Sequence, residues 1–510
     1  PLSVEEVPPS YLWVGLYIIL AFAYWTNSLL RNKSLGQLTQ KENSRLPKQW
    51  YRHHGRFTLA GVFFATLFFF FFGLSHLTQF AAVDEPLWMD GRITRFWKNI
   101  AERDFSKTDI SDKPGITLVL ATGPGLLFVS PKDYRDARFI FNAKNEQLAI
   151  EDFYLAFRLP LLIVITLLLP LFYFLLVPLL GSTGALFSYI AITLSPVLIG
   201  MSKIVNPDSL LWIFAPISFL AYLVFLEKKS FRALLLSGFF LGLALLTKYV
   251  ANFLIVFFFG YIFLRFLTSK STLSFHEYFK QSFSAFLVWL GTGLTTLYLF
   301  LPALWLEPGK LFTSTLFSQA FEKVAPLFLI LVASILLDQH FFRSRFTSAC
   351  MDFGKRVAQH IQYGILGSFS LVALIVLING SFGMPFIDFM HILASPKSIY
   401  QISDRVIIFL TNFYPLLFGI PLILLLGVFL ALRRKMVSDS ERQLILAIVT
   451  FILLYSFASA INQVVLINRY QIILYPLIGI LSGIGLAHMT TLLSTRFATQ
   501  RQQKTAQILS

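Results

Sequence analysis

Stretches of about 18 or more residues without a charged side chain recur along the whole of this chain, each long enough to cross a bilayer as a helix. No other feature restricts the fold as much. In lipid every backbone N–H and C=O must be satisfied internally, so spanning segments are helices or closed barrels. A barrel would show short alternating segments instead of long continuous ones. The chain therefore reads as an all-α polytopic membrane protein. Composition agrees: 56% of the 510 residues are hydrophobic and 13% are charged, against about 25% charged in a soluble domain. A soluble enzyme, a disordered chain and a fibrous repeat are excluded. The 56 phenylalanines suit surfaces that face lipid and neighbouring helices.

Thirteen spans are expected, near 11–30, 57–80, 159–180, 184–200, 209–226, 232–247, 250–268, 282–303, 323–338, 362–380, 405–432, 443–462 and 470–490. The weakest, 323–338, is short enough to lie at the interface, although its flanks differ in charge as a crossing requires. The run at 11–30 is too long for a cleavable signal peptide and lacks a basic region before it. Lys and Arg set the orientation. The loop 31–56 holds seven of them; with 227–232, 265–281, 339–361, 433–442 and the tail, one side carries 24 of the 42. That side is expected to be cytoplasmic, with 81–158 outside beside the loops near 201–208, 304–322, 381–404 and 461–469. This asymmetry accounts for the net charge of +16 without nucleic acid as a partner. The single cysteine, Cys350, can form neither an intrachain disulfide nor a cysteine zinc site. The expected division is an N-terminal span and basic loop (1–56), a transmembrane domain (57–490) and a cytoplasmic tail (491–510).

The outward segment 81–158 holds twelve of the 26 acidic residues. Trp88, Phe96, Trp97 and Ile100 recur at roughly helical spacing, as in an amphipathic helix lying on a membrane. Ile116 to Val129 is too short and too broken by Gly and Pro for a span, and reads as an interfacial helix. Asp84 and Glu85 follow directly on a span. Two adjacent carboxylates at a membrane surface are costly to desolvate and repel one another, the setting that raises a carboxylate pKa and suits a general base. The plainer reading is a helix start, with Asp84 as N-cap and Pro86 in the first turn. Lys113, in Ser111-Asp112-Lys113-Pro114-Gly115, could reach a phosphate at headgroup level or simply snorkel. Arg158, Asp208, Lys248, Arg469 and Tyr470 each stand where the chain enters lipid. Singly such residues are more often anchors than ligands. Together they share one expected membrane face, and polar groups at the edge of an apolar bundle are functional candidates. Carboxylates beside several cations suit a phosphorylated lipid and a reacting hydroxyl. There is no nucleotide loop and no metal-ligand spacing, although Asp and Glu could help hold a divalent cation.

Asp84-Glu85-Pro86-Leu87-Trp88, Phe96-Trp97 and Ser111 to Thr117 together resemble the first outward loop of the C superfamily of membrane glycosyltransferases (GT-C). Within it they are similar to the protein O-mannosyltransferase and lipid A aminoarabinose transferase-like enzymes. The resemblance continues through Phe157-Arg158-Leu159-Pro160, Asn206-Pro207-Asp208, Gly242 to Tyr249, Pro302 to Pro308 and Arg469-Tyr470. It implies an outward active site under amphipathic loop helices, and transfer of a sugar from a polyprenyl-phosphate donor to a glycan, lipid or protein acceptor. Asp84 matches the family's catalytic acid and Glu85 its neighbour. Lys113 and Arg158 match positions resembling donor-phosphate contacts; Lys248 and Arg469 match by context. Trp88, Asp208 and Tyr470 are further candidates, for the acceptor or for structure. The extra span at 11–30 departs from the family pattern. The expectation is an inverting hexosyl- or pentosyltransferase of a bacterial plasma membrane. A flippase or a polymerase or ligase of polyprenyl-linked glycans is the alternative. A transporter would show inverted repeats and helices broken near the midplane, whereas here the ionisable groups gather at one face.

Overall fold

The computed structural model of the chain describes residues 55–111, 113–130, 144–269, 272–315, 317–318, 324–382, 402–413, 416, 422–433, 437–462 and 470–509. Among them the regular elements are helices, with no β-strand, as the apolar runs require. In chain order these are α1 (Arg56–Ser75), α2 (Ile93–Ala101), α3 (Ile116–Thr122), α4 (Lys144–Leu168), α5 (Pro170–Thr193), α6 (Pro196–Met201), α7 (Asp208–Lys228), α8 (Phe231–Thr247), α9 (Phe253–Thr268), α10 (Phe275–Phe300), α11 (Ala303–Leu306), α12 (Lys310–Ser314), α13 (Ala325–Phe341), α14 (Arg345–Arg356), α15 (Ala358–Phe382), α16 (Ile402–Thr411), α17 (Leu422–Arg433), α18 (Asp439–Ile461) and α19 (Leu474–Leu509).

Eight helical segments among the described residues are long and apolar enough to cross a membrane, or nine if the bent pair α13–α14 is one span. Thirteen were expected, and the difference has identifiable sources. The run 11–30 lies outside the described residues, and 405–432 is described only in part, as α16 and α17. The spans expected at 159–180 and 184–200 count as one segment, Ile150–Thr193, although the Gly181 backbone at φ 73° divides it into two helices. The stretch at 232–247 forms α8, which at 17 residues is short for a span.

Of the described residues, 69–168 and 199–362 form one compact unit, and 55–68, 169–198 and 363–509 a second. In the first unit α7 is apolar all round and its spanning window is entirely buried, which makes it the central helix. α8 packs on α7, and α10 on α8. Ser218 and Ser237 lock α7 to α8 reciprocally, each hydroxyl donating to the other residue's carbonyl, at 2.8 and 2.6 Å. The α8–α10 contact depends on small residues four apart, which let backbones approach closely where lipid gives no hydrophobic drive. A Cβ on Gly238 would lie 2.6 Å from the Trp289 carbonyl oxygen, and one on Gly242 2.5 Å from that of Gly293. Gly242→Leu is therefore expected to destabilise the protein by about 1–3 kcal/mol or more, the cost of overpacking. Thermal unfolding in detergent checks this; an unchanged midpoint would show that the two helices can separate freely.

The segment after α1 is helical in part. A π-helical turn, Leu87–Arg92, leads directly into α2. Trp88, Ile93 and Phe96 are buried, while Arg95 and Lys98 on the other side are exposed. α3 and the 3-10 turn that follows it (Gly123–Leu127) pack against α4. Pro160 inside α4 cannot donate to the carbonyl four residues back, that of Ala156. Gly125 packs against that carbonyl, and a Cβ at 125 would lie 2.6 Å from its oxygen.

In the second unit α19 packs on α5 and α17. The approach is again glycine-mediated: a Cβ on Gly483 would lie 2.2 Å from the Ser188 Cα. Thr66 and Tyr189 share a hydroxyl hydrogen bond of 2.6 Å.

Candidate active site

Arg158 and Glu85 meet inside the first unit, 73 residues apart in sequence and both fully buried. The guanidinium donates through Nε to Glu85 Oε1 (2.8 Å) and through Nη2 to Oε2 (2.5 Å), a two-pronged match of fork to carboxylate. Two more of its N–H groups reach back along the chain. Nη1 donates to the Leu77 carbonyl at 2.5 Å and Nη2 to that of Phe80 at 2.6 Å. The Tyr154 ring lies 4.0 Å beneath the guanidinium carbon. Glu85 is equally saturated, accepting also from the backbone N–H groups of Ala82 and Val205, both at 2.9 Å. Burying two charges is costly unless the geometry is good and the remaining polar sites are satisfied, and here they are. The pair fixes residues 77–85 to α4 and to the turn before α7.

Asp84 stands beside this anchor and is only half-buried. Asn206 Nδ2 donates to Asp84 Oδ2 at 3.1 Å, and Asn206 Oδ1 accepts from the Asp208 N–H at 2.9 Å. Asn206 thus holds the turn before α7 and orients Asp84 with one side chain. The turn at 87–92 has no side-chain cap at Pro86. Asp208 is paired with Lys248, Oδ1 to Nζ 2.7 Å, with both side chains nearly buried. Lys203, not singled out from the sequence, is buried in the same turn. It donates to the His76 carbonyl at 2.7 Å and lies 4.7 Å from the Phe80 ring centroid. Burial and the Arg158 charge push its ammonium below the usual lysine range. The signal was available: Lys203 is an isolated charge between two apolar runs, as Lys248 is.

The loop carrying Lys113 is held by its neighbours. Gly115 adopts φ 62°, and a Cβ there would lie 2.0 Å from the Trp88 ring. Trp88 is therefore a packing residue here, with the Arg92 guanidinium 4.7 Å from its ring centroid. The Gly115 N–H donates to the Thr247 carbonyl at 3.2 Å, and the Thr117 and Thr247 hydroxyls bond at 2.6 Å. These contacts bind the loop to the end of α8, next to Lys248. The Lys113 side chain is exposed; Asp112 lies outside the described residues. Trp97 Nε1 donates to the Val119 carbonyl at 3.0 Å, fixing α2 on α3.

The later motif Pro302 to Pro308 also comes to the 81–158 segment. Trp305 packs edge-on against Phe105, ring centroids 5.3 Å apart, and Lys310 Nζ lies 3.9 Å from Asp109 and 3.4 Å from Glu307. Burial pushes the Asp109 carboxyl above its ordinary range, with Lys310 opposing. Tyr470 belongs to the second unit, where its carbonyl accepts from the Tyr455 hydroxyl at 2.9 Å; Arg469 lies outside the described residues. Among the described residues, no three His, Cys, Asp or Glu side chains form a group that could hold a metal ion.

Residues 149–305 match the family model described as dolichyl-phosphate-mannose-protein mannosyltransferase. The match takes in Arg158, Lys203, Asn206, Asp208, Lys248 and Trp305, and begins after Asp84, Glu85 and Lys113. No curated protein matches the chain. Together with the apolar helices, the family match bears out the resemblance carried by the motifs: this integral membrane chain is similar, over residues 149–305, to the dolichyl-phosphate-mannose-protein mannosyltransferases, glycosyltransferases of the GT-C superfamily.

Proposed function

We propose that the protein transfers a sugar from a polyprenyl-phosphate donor to an acceptor hydroxyl, by single displacement with inversion, at the extracytoplasmic face of a bacterial plasma membrane. The observation that carries this reading is the unequal state of two adjacent carboxylates. Glu85 is saturated by Arg158 and backbone N–H groups, whereas Asp84 is half-buried and oriented by Asn206. Glu85 and Arg158 act as positioning residues, and Asp84 is the general base.

In this scheme the acceptor oxygen forms a bond to the anomeric carbon as the bond from that carbon to the phosphate oxygen breaks. The acceptor proton passes to Asp84, and the lipid phosphate departs with the electron pair. A hydroxyl is a poor nucleophile near neutral pH, so proton removal in the transition state lowers the barrier. Charge grows on the phosphate at the same time, and a cation there stabilises it. Lys113, exposed on a loop tied to the end of α8, is the first candidate. Lys248, already partnered by Asp208, and Arg469 are the next.

The test is a transfer assay in proteoliposomes with a panel of polyprenyl-phosphate sugars and a membrane extract, read by mass spectrometry and by NMR of the product's anomeric centre. The expected product carries inverted configuration. Retained configuration would overturn the single displacement, and no transfer from any polyprenyl-linked donor would overturn the donor class.

A further inference from the structure

The turn between α13 and α14 lies in the first unit, on the side that the Lys and Arg distribution assigns to the cytoplasm. α14 leaves α13 at 106°, so if α13 crosses a bilayer, α14 runs close to the membrane plane. The bend is built from specific contacts. Asp338, near the end of α13, accepts from the Phe346 and Thr347 N–H groups at 3.2 and 2.8 Å and from the Thr347 hydroxyl at 2.6 Å. Ser344 sits in the turn at φ 64° and shares a 2.7 Å hydrogen bond with His276 Nδ1.

The faces of α14 differ sharply. One is fixed to the protein: a Cβ on Gly354 would lie 2.8 Å from the Leu267 side chain, and Lys355 Nζ lies 3.9 Å from the Phe266 ring centroid. A second face, Phe346, Cys350 and Phe353 at helical spacing, is apolar and exposed, the two phenylalanines 62% and 67% accessible. The adjoining face and the turn present Arg343, Arg345 and Arg356, all exposed, against Asp352 alone. An apolar stripe beside a cationic one, on a helix at right angles to a span, is the pattern of an interfacial amphipathic helix. Cationic side chains at that level are attracted to an anionic leaflet.

We infer that α14 is an anionic-lipid anchor. Phe346, Cys350 and Phe353 enter the boundary between headgroups and acyl chains, and the three arginines lie among anionic headgroups. The occupant is a phospholipid surface and neither a second copy nor a soluble partner, because the exposed charge is cationic and α13 leads α14 to the membrane surface.

The chain's single cysteine makes the test direct. The full-length wild-type protein is labelled at Cys350 with a polarity-sensitive fluorophore and placed in nanodiscs of phosphatidylcholine alone or with an equal part of phosphatidylglycerol. Quenching by spin-labelled lipid is expected to rise at least about twofold in the anionic discs, with iodide quenching falling in parallel. The rise is expected to vanish in Arg343→Glu/Arg345→Glu/Arg356→Glu. Equal lipid quenching in both discs, or dominant iodide quenching in both, would overturn the inference. So would protection that appears only when two proteins share a disc, which would place a second copy on the stripe. The wild-type comparison between the two lipids stands even where the triple variant fails to fold.

Discussion

Asp84→Asn is expected to lower turnover by about 10²–10⁴-fold, the range associated with removing a general base, in a protein that still folds and still binds donor. The substitution preserves shape, and the new amide oxygen can still accept from Asn206 as Asp84 Oδ2 does. What it removes is the ability to take the acceptor's proton. Steady-state kinetics give the loss, and equilibrium donor binding shows whether the ground state is intact. A fall in both kcat and kcat/KM with unchanged donor affinity identifies a group that acts in the transition state. Near-wild-type turnover in a well-folded variant would exclude Asp84 as the base.

Arg158→Ala is expected to act on stability. It strips Glu85 of its counter-charge inside a fully buried site. Removing one partner of such a pair costs about 3–5 kcal/mol, because the other charge stays buried and uncompensated. The Leu77 and Phe80 carbonyls lose their donors as well. Low yield and a depressed unfolding midpoint are the expected outcome. Arg158→Met combined with Glu85→Gln removes both charges and is expected to recover much of the midpoint, although the loop geometry, and so turnover, stays impaired. A direct donor-phosphate contact predicts the opposite for Arg158→Ala alone: normal unfolding with weakened donor affinity. Detergent unfolding curves and donor titrations on the same preparations separate the two.

The apolar runs made the helical class and most span positions legible, because length and lack of charge are direct physical requirements of a bilayer. Gly181 is one such place: its backbone at φ 73° breaks the run 150–193 into two helices, between the spans expected at 159–180 and 184–200. The candidate site read as a set of residue types on one expected membrane face, and the structure brings several of them together. Asn206 reaches Asp84, and Asp208 reaches Lys248. Their pairing was not legible. Glu85 and Arg158 are separated by 73 residues, and nothing local in either segment announces the other. Arg158 therefore read as a cation available to a phosphate, whereas four of its five N–H groups go to Glu85 and two carbonyls. Trp88 read as an acceptor or structural residue, and only the positive φ of Gly115 beneath its ring shows the packing requirement.

The Glu85 anchor also has a timetable. One of its oxygens waits for the Val205 N–H, 120 residues later in the chain. At a synthesis rate of about 5–20 residues per second, that interval lasts roughly 6–24 s. Asp84 is made early but gains its fixed orientation only after α4 and the turn before α7 have left the ribosome. A nascent chain truncated before Asn206 has Asp84 without the amide that orients it, so the proposed site is incomplete until the central helix begins to emerge.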